Sequence, residues 1–225
     1  MEFDEVVKNR RSIRGFSDQV LPKELLKEIV ALATRAPSSM NTQPWYFHAV
    51  SGKALDEIRK GNTERNLAGI PASREIRIHG AYDGVHRDRQ KKIAAQLFKA
   101  MNIDWGDKEK RQDWVLRGFR QFDAPVSVVV TFDQSLDDND IAMFDCGAVV
   151  NALVNAAWSR GVGAVINGQG IMQSPVVRKH AAIPDDQIIM SCVAMGYPLE
   201  DFPANDVVST RRPVEEVVRF VDFYE

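Results

Sequence analysis

The stretch that decides the fold is residues 126–160, VSVVVTFDQSLDDNDIAMFDCGAVVNALVNAAWSR. Its first part, Val126–Phe132, is a continuous β-branched apolar run, which predicts a buried strand. The acidic cluster Asp137–Asp140 indicates a helix cap rather than a metal site, because short carboxylates satisfy free backbone N–H groups. The second part, from Ile141 to Arg160, predicts a long helix that is apolar on nearly all sides and therefore buried. Its small residues would allow close approach of another helix, either from the same chain or from a second subunit.

The same periodicities predict further elements on both sides of this stretch. On the amino-terminal side they are a helix over Glu2–Asn9, a helix that Pro22 opens and Pro37 ends, a strand over Trp45–Ser51, and helices over 52–60, 87–101 and 108–122. On the carboxyl-terminal side they are a strand over Ala164–Ile166, a helix over Ser174–Ala181, a strand over Ile188–Met195, and an apolar tail over Val214–Val221 that should dock on another surface. No repeat, low-complexity segment or linker interrupts the chain, so one α+β domain is the simplest architecture.

Composition excludes several classes of protein. The 225 residues are 44% hydrophobic and 27% charged, as in an ordinary soluble globular protein, and the net charge of −2 gives no electrostatic case for nucleic acid. The amino terminus is acidic and amphipathic, unlike a signal peptide, and no apolar run approaches the roughly 20 residues that span a bilayer. We therefore expect a cytoplasmic protein without membrane or nucleic-acid partners. Cys146 and Cys192 are expected to be buried structural thiols, and we expect no metal site.

Three segments carry side chains suited to a ligand. They are Arg10–Arg14 (RRSIR), Pro37–Gln43 (PSSMNTQ) and Ser209–Pro213 (STRRP). Guanidinium groups pair bidentately with phosphate oxygens, although a basic helix end that complements the helix dipole is the simpler alternative for the first segment. The middle segment suits the polar edge of a flat heterocycle, although a capped helix-terminating turn would look the same. Together the segments indicate a phosphorylated cofactor with a ring system.

The chain resembles the nitroreductase family of FMN-dependent oxidoreductases. The resemblance covers nearly the whole length and rests on the order and spacing of five segments: Arg10–Phe16, Ala36–Trp45, Gly161–Gly170, Met195–Pro198 and Arg211–Pro213. It implies an α+β nitroreductase-like fold with a central, mostly antiparallel sheet flanked by helices, in an intertwined homodimer with two flavins at the interface. It also implies a single domain over 1–225, with a variable lid or substrate segment at about 62–122.

The resemblance assigns a set of residues to tightly bound FMN. Those implied for the phosphate and ribityl chain are Arg10, Arg11, Ser12, Arg14 and Arg211; those implied at the isoalloxazine ring and its polar edge are Pro37, Ser38, Ser39, Asn41 and Gln43. The loop Asn167, Gly168, Gln169 and Gly170 is implied beside flavin N5, with the backbone of Gly168 and Gln169 nearest to it. We expect no side-chain acid, base or nucleophile, because the flavin itself carries the chemistry.

The resemblance also implies the reaction. NAD(P)H would reduce FMN at N5, and a nitroaromatic or quinone would then be reduced in the same slot by a ping-pong scheme. The chain has no GxGxxG motif after a strand, so NAD(P)H is expected to be a co-substrate rather than a tightly bound cofactor. The residues implied at the substrate are Tyr82, Arg87, Phe119 and Phe122, and the spacing of the first two resembles the nitrobenzoate-reducing branch. The alternatives are an ene reductase or dehalogenase on the same fold, or a non-enzymatic FMN-binding protein.

Overall fold

The computed structural model describes residues 1–76 and 80–223, which form seven α-helices and four strands. The strands are β1 (Trp45–Ser51), β2 (Val126–Asp133), β3 (Gly163–Ile166) and β4 (Gln187–Gly196). The helices are α1 (Phe3–Asn9), α2 (Lys23–Ala33), α3 (Gly52–Leu67), α4 (Gly84–Ala100), α5 (Lys108–Phe119), α6 (Asp140–Ser159) and α7 (Ser174–His180). The predicted elements are confirmed to within a few residues at their ends, except at α3.

The strands form one sheet in the order β1–β2–β4–β3, and every pairing between them is antiparallel. Helix α6 packs against one face of the sheet, and α3 and α7 contribute to the apolar cluster on the other. Since both faces are covered, β2 is buried almost throughout, which explains its continuous β-branched sequence. At the free edge of β3, Ser12 pairs with Ala164 and brings the amino-terminal segment alongside the sheet. The predicted α+β fold is confirmed.

Helix α3 continues to Leu67, although the sequence predicted that it ends at residue 60. The cause lies at Gly61, the first residue after the predicted end of the helix. A Cβ at this position would lie 2.6 Å from Cγ1 of Val176, so the missing side chain is what allows α3 to pack closely on α7. This glycine serves helix packing rather than a turn.

Helix α6 is less buried than its sequence predicted. Asn139 caps it by accepting a hydrogen bond from the N–H of Ile141 at 3.0 Å, and Cys146 and Leu153 are fully buried. On the opposite side, however, Ile141 is 51% and Phe144 is 75% exposed. Within the described residues α6 is also the one helix long and apolar enough to cross a membrane, with half of that stretch buried inside the protein, as a core helix would be. The prediction of burial on all sides is wrong for a single chain, because no element among residues 1–76 and 80–223 covers this face.

The carboxyl-terminal tail and the two cysteines also bear on the sequence predictions. Val214 and Phe220 of the apolar tail are 58% and 64% exposed, so the described part of the chain has no surface that covers these side chains. Both cysteines are buried and unpaired, as predicted, and burial raises the pKa of Cys146 and of Cys192 to about 12. They are therefore protonated structural thiols at neutral pH.

Candidate active site

A cavity of about 530 Å³, here called the Arg14 cavity, joins the amino-terminal segment to the loop after β3. Its polar lining residues are Arg14, Arg74, Gln90, Asn167, Gly168 and Gln169. Its apolar wall comes from α4, α5, Phe122 and the end of β3. Among the described lining residues two are cationic and none is acidic, which favours negatively charged ligands. Two segments that the sequence assigned to one cofactor therefore meet here.

Buried amide groups hold the loop after β3 in place. Nδ2 of Asn167 donates to the carbonyl of Gly118 at 2.8 Å, and its backbone N–H donates to the carbonyl of Cys192 at 2.8 Å. Nδ2 of Asn62 donates to the carbonyl of Gly170 at 2.9 Å. These bonds connect the loop to α3, α5 and β4, so its backbone is rigid before any ligand binds.

Only one of the two backbone donors predicted to face the flavin is available. The N–H of Gln169 donates to Oδ1 of Asn167 at 3.1 Å. The N–H of Gly168 has no acceptor among residues 1–76 and 80–223, and Gly168 is exposed. An exposed donor on a rigid loop can bind a ligand acceptor without first breaking a protein hydrogen bond.

The two glycines of this loop should differ sharply in their tolerance of a side chain. At Gly170 a Cβ would lie 2.6 Å from Sγ of Cys192 and 2.9 Å from Nδ2 of Asn167, whereas at Gly168 nothing is closer than 4.0 Å. We expect Gly170→Ala to lower the free energy of unfolding by about 1–3 kcal/mol through overpacking. The matched control, Gly168→Ala, should be neutral or slightly stabilising, because φ −72° there suits alanine. Urea unfolding of both apoproteins measures the difference, and equal stabilities would contradict the packing argument.

Arg14 and Arg11 of the amino-terminal segment have different surroundings. Arg14 reaches the cavity with Nη1 donating to the carbonyl of Ser12 at 3.3 Å, and burial lowers the pKa of its guanidinium. Arg11 turns away from the cavity: Nε donates to the carbonyl of Asn205 at 2.5 Å, and Nη2 lies 3.6 Å from Asp206. Any phosphate contact by Arg11 would therefore compete with these protein contacts.

Arg10 and Arg211, from opposite ends of the chain, meet at a second cavity of about 820 Å³ between α1 and α6, here called the Arg10 cavity. Burial lowers the pKa of the Arg10 guanidinium, and the positive charge of Arg211 lowers it further. No acidic side chain lines this cavity among the residues that the structure describes. Two cations held together without a counter-charge are suited to a dianion such as phosphate.

The third predicted segment, Pro37–Gln43, lies elsewhere. The N–H of Ser39 donates to Oδ2 of Asp145 near the start of α6, whereas the Arg10 cavity reaches Asn155 and Ser159 near its end. The interval from residue 145 to 155 corresponds to ~15 Å along a helix. The segment also leads into β1, at the opposite edge of the sheet from β3. Within one chain the structure therefore does not bring Pro37, Ser38, Ser39, Asn41 and Gln43 to the other predicted cofactor residues.

The four predicted substrate residues are dispersed. Phe122 is buried and lines the Arg14 cavity. Phe119 is 3% exposed and packs inside the chain. Tyr82 is 69% exposed, and Arg87, in the first turn of α4, donates to Oε1 of Gln90 at 2.5 Å; neither lines this cavity. The substrate assignments stay predictions, with Phe122 alone of the four at the cavity in a single chain.

Sequence reasoning missed Arg74 and Asn205. Arg74 lies in an irregular loop, where no periodicity or motif marks a ligand residue. Asn205 is 4% exposed and hydrogen bonds to Gly15, a contact across 190 positions that no local pattern encodes. The described residues contain no group of three His, Cys, Asp or Glu side chains that could hold a metal ion.

Comparisons with known proteins identify the family of the chain. The family model described as "Nitroreductase family" matches residues 7–197. The chain is 32% identical to a nitrobenzene nitroreductase of Ectopseudomonas oleovorans, covering 97% of this chain and 96% of the relative. It is 27% identical to a 4-nitrobenzoate reductase of Nocardioides sp., covering 97% and 90%. A solved structure of the FMN and NADPH-dependent nitroreductase NfnB from Sphigopyxis sp. strain HMH superposes with a TM-score of 0.93 at 25% identity, covering 99% and 100% of the two chains.

Proposed function

Because the chain belongs to the nitroreductase family, we propose that it is an FMN-dependent oxidoreductase that uses NADPH or NADH to reduce nitroaromatic compounds or quinones. Similar curated proteins are named for nitrobenzene and 4-nitrobenzoate, and a similar solved structure is of an FMN- and NADPH-dependent enzyme. The observation that carries the proposal is the Arg14 cavity, which joins the basic amino-terminal segment to a rigid loop with an exposed N–H. A cytoplasmic location follows from the proposed use of a reduced nicotinamide co-substrate.

The residues present fit FMN. Arg10 and Arg211 form a cation pair that lacks a counter-charge among the described residues, which fits a phosphate dianion. A Cβ at Gly168 would meet nothing closer than 4.0 Å, and its backbone N–H has no acceptor among the described residues, which fits the edge of a flat ring that carries an acceptor nitrogen. Both features exist in the folded chain without a ligand.

Bound FMN supplies hydride transfer at N5, first from the nicotinamide and then to the electron acceptor. The contribution of this chain is binding and orientation. Gly168 would donate its N–H to the ring edge, and Arg14 would hold negative charge inside the cavity. Phe122 and Leu97 form part of a wall that excludes water, which strengthens these polar contacts. Among the described residues, no carboxylate or imidazole lines the cavity, so protons would come from solvent or from the ligands.

The test is the visible absorption spectrum of the purified protein, recorded before and after anaerobic NADPH and again after nitrobenzene. We expect a flavin spectrum that bleaches with NADPH and returns with nitrobenzene. A protein that is colourless and takes up no added FMN would contradict the proposal. A flavin that NADPH and NADH both leave oxidised would leave only FMN binding and would favour the non-enzymatic alternative.

We also propose that the active form is a homodimer whose two sites each take residues from both chains. Phe144, on the uncovered face of α6, is 75% exposed, and a Cβ at Gly147 would meet nothing within 4 Å, which leaves room for a second helix. Segment Pro37–Gln43 lies far from the Arg14 cavity of its own chain, and a two-fold axis could place it at the cavity of the partner. The exposed apolar tail would be covered in the same assembly.

A charge on the open face of α6 tests the dimer. We expect Phe144→Glu to give monomers and to reduce FMN content, because a carboxylate would be buried without a partner in the interface. Analytical ultracentrifugation measures the mass, and absorbance measures the FMN content. Leu67→Glu is the matched control, since Leu67 is 57% exposed at the end of α3, on the sheet face opposite α6. A Phe144→Glu protein that remains a dimer would exclude this face as the interface.

A further inference from the structure

Arg74 is held in a fixed position by both of its neighbours in the sequence. The N–H of Ser73 donates to the carbonyl of Met172 at 2.8 Å. Glu75 forms a bidentate pair with Arg178 of α7, with its oxygens 3.2 Å from Nε and 2.7 Å from Nη2. The loop between α3 and α4 is therefore fastened on both sides of Arg74, and the backbone of this residue is positioned before any ligand binds.

The guanidinium of Arg74 has no partner in spite of this fixed backbone. Within residues 1–76 and 80–223 it makes no hydrogen bond and no ion pair, and its Nε is buried without an acceptor. By contrast, Arg65 and Arg178 nearby donate to Gln173 and Glu75. A guanidinium has five N–H donors, and a buried donor without an acceptor costs free energy. A fixed backbone with an unpaired guanidinium is typical of an arginine that binds a ligand.

The guanidinium of Arg74 points to the part of the Arg14 cavity where hydride transfer would occur. Its Nη2 lies 4.0 Å from the place that a Cβ of Gly168 would take. Gly168 is the residue whose backbone N–H has no acceptor in the described chain. Phe98 and Trp114 line the same cavity and offer apolar surface to a flat ring. A cation therefore lies beside an aromatic-lined slot, and no acidic residue of the described chain lines that slot.

We propose that Arg74 binds the electron acceptor through a planar group with two oxygens, a nitro or a carboxylate group, on an aromatic ring. A guanidinium fork matches such a group with two parallel hydrogen bonds, and this would place the ring beside Gly168. The inference rests on the proposed function, because it assumes that FMN occupies the cavity and passes electrons to the ring. With this role for Arg74, we expect the electron acceptors to be nitroaromatic compounds, including those that also carry a carboxylate.

The test compares Arg74→Gln and Arg74→Lys with Arg89→Gln in the FMN-loaded protein. Arg89 is the matched control, because it is exposed on α4, has no side-chain partner among the described residues and does not line the Arg14 cavity. Benzoate, which has the carboxylate but cannot be reduced, is titrated by calorimetry and by flavin absorbance. KM is measured for nitrobenzene and for p-benzoquinone. Benzoate reports on recognition of a carboxylate and nitrobenzene on recognition of a nitro group. p-Benzoquinone is an acceptor that has neither group.

We expect Arg74→Gln to weaken benzoate binding, or to raise the KM for nitrobenzene, by about 10-fold or more. Arg74→Lys should retain part of the effect, and Arg89→Gln should change neither value. A change for benzoate identifies the carboxylate, and a change for nitrobenzene identifies the nitro group; both support the inference. Unchanged values for both probes, or an equal loss with p-benzoquinone, would overturn it.

The FMN content of the variants separates this inference from the proposed function. If Arg74→Gln loses FMN while Arg89→Gln retains it, Arg74 holds the cofactor and the acceptor assignment is overturned. If the unmodified protein binds no FMN, the proposed function fails. If the unmodified protein binds FMN and NADPH reduces it, but benzoate and nitrobenzene bind Arg74→Gln as well as the parent, the inference about Arg74 fails by itself.

Discussion

Replacing Arg10 and Arg211 together by alanine is expected to give a protein that folds but purifies without FMN. Each arginine is proposed to make a charge-assisted contact with the phosphate, and such a contact contributes about 1.5–3 kcal/mol. The loss of both would weaken FMN binding by ~10²–10⁴-fold if the two contributions add. Absorbance at the flavin bands and a fluorescence titration of the apoprotein with FMN measure the effect.

The same substitutions should not destabilise the apoprotein. The side chain of Arg10 makes no hydrogen bond or ion pair in the described part of the chain, and Arg211 donates only within its own segment, to Ser209 and Thr210. Burial, and after it the positive charge of Arg211, lower the pKa of the Arg10 guanidinium, so removing both side chains relieves a desolvation cost and a repulsion. We therefore expect the free energy of unfolding of the apoprotein to be unchanged or slightly raised.

The control for this pair is Lys53→Ala with Lys179→Ala. Both side chains are exposed, on α3 and α7, and have no side-chain partner among the described residues. They line neither the Arg10 cavity nor the Arg14 cavity, so the control removes the same net charge from elsewhere on the chain. The control variant should retain FMN. That result would show that FMN binding depends on the positions of Arg10 and Arg211 rather than on the overall charge of the chain. A yellow, fully loaded Arg10→Ala, Arg211→Ala protein would overturn the phosphate assignment.

The second large effect is expected at Asn205, whose buried side chain makes four hydrogen bonds. Its Oδ1 accepts from the N–H of Arg14 at 2.8 Å and of Gly15 at 3.0 Å. Its Nδ2 donates to the carbonyls of Gly15 at 2.8 Å and of Leu199 at 3.1 Å. The side chain thus uses its full hydrogen-bonding capacity to fasten the basic amino-terminal segment to the carboxyl-terminal part of the chain.

Asn205→Ala would leave these backbone donors and acceptors buried without partners. We expect the free energy of unfolding to fall by about 3 kcal/mol or more, since each unsatisfied buried group costs ~1–3 kcal/mol. FMN affinity should fall as well, because Arg14 would lose its fixed backbone. Urea unfolding of the apoprotein and FMN titration measure the two effects separately.

Asn9→Ala serves as the comparison for Asn205→Ala. Asn9 is exposed at the end of α1 and makes no side-chain hydrogen bond in the described chain, so its replacement should change stability by less than about 0.5 kcal/mol. An Asn205→Ala protein that loses less than about 1 kcal/mol would mean that water or local rearrangement replaces the four bonds.

Some parts of the fold could be predicted from sequence because local pattern and tertiary environment agree. The continuous β-branched run of β2 is buried on both faces, and the Asn139 cap lies directly before the apolar residues of α6. Gly61 shows the opposite case. Its local signal favours a helix end, but its close contact with α7 keeps it inside α3, and that contact depends on residues more than 100 positions away.

In the candidate site, too, some features could be predicted from the sequence and others depend on tertiary contacts. The chemical types at the two chain ends, Arg10 and Arg211, indicated a phosphate ligand, and the structure brings these residues together. The sequence treated Gly168 and Gln169 as equal donors, whereas the structure leaves only the N–H of Gly168 without an acceptor in the described chain. This difference comes from the orientation of one amide side chain, Asn167, which α5 and β4 hold in place.

By itself the sequence determined the elements and the types of ligand-binding group, because both depend on short-range periodicity and on the chemistry of individual side chains. Tertiary structure alone decided which of those groups are free to act. Three findings result from the packing of distant residues: Arg74 has no partner among the described residues, Asn205 makes four hydrogen bonds, and Pro37–Gln43 lies apart from the Arg14 cavity. Such contacts form only when the sheet and helices pack, so no local pattern in the chain records them.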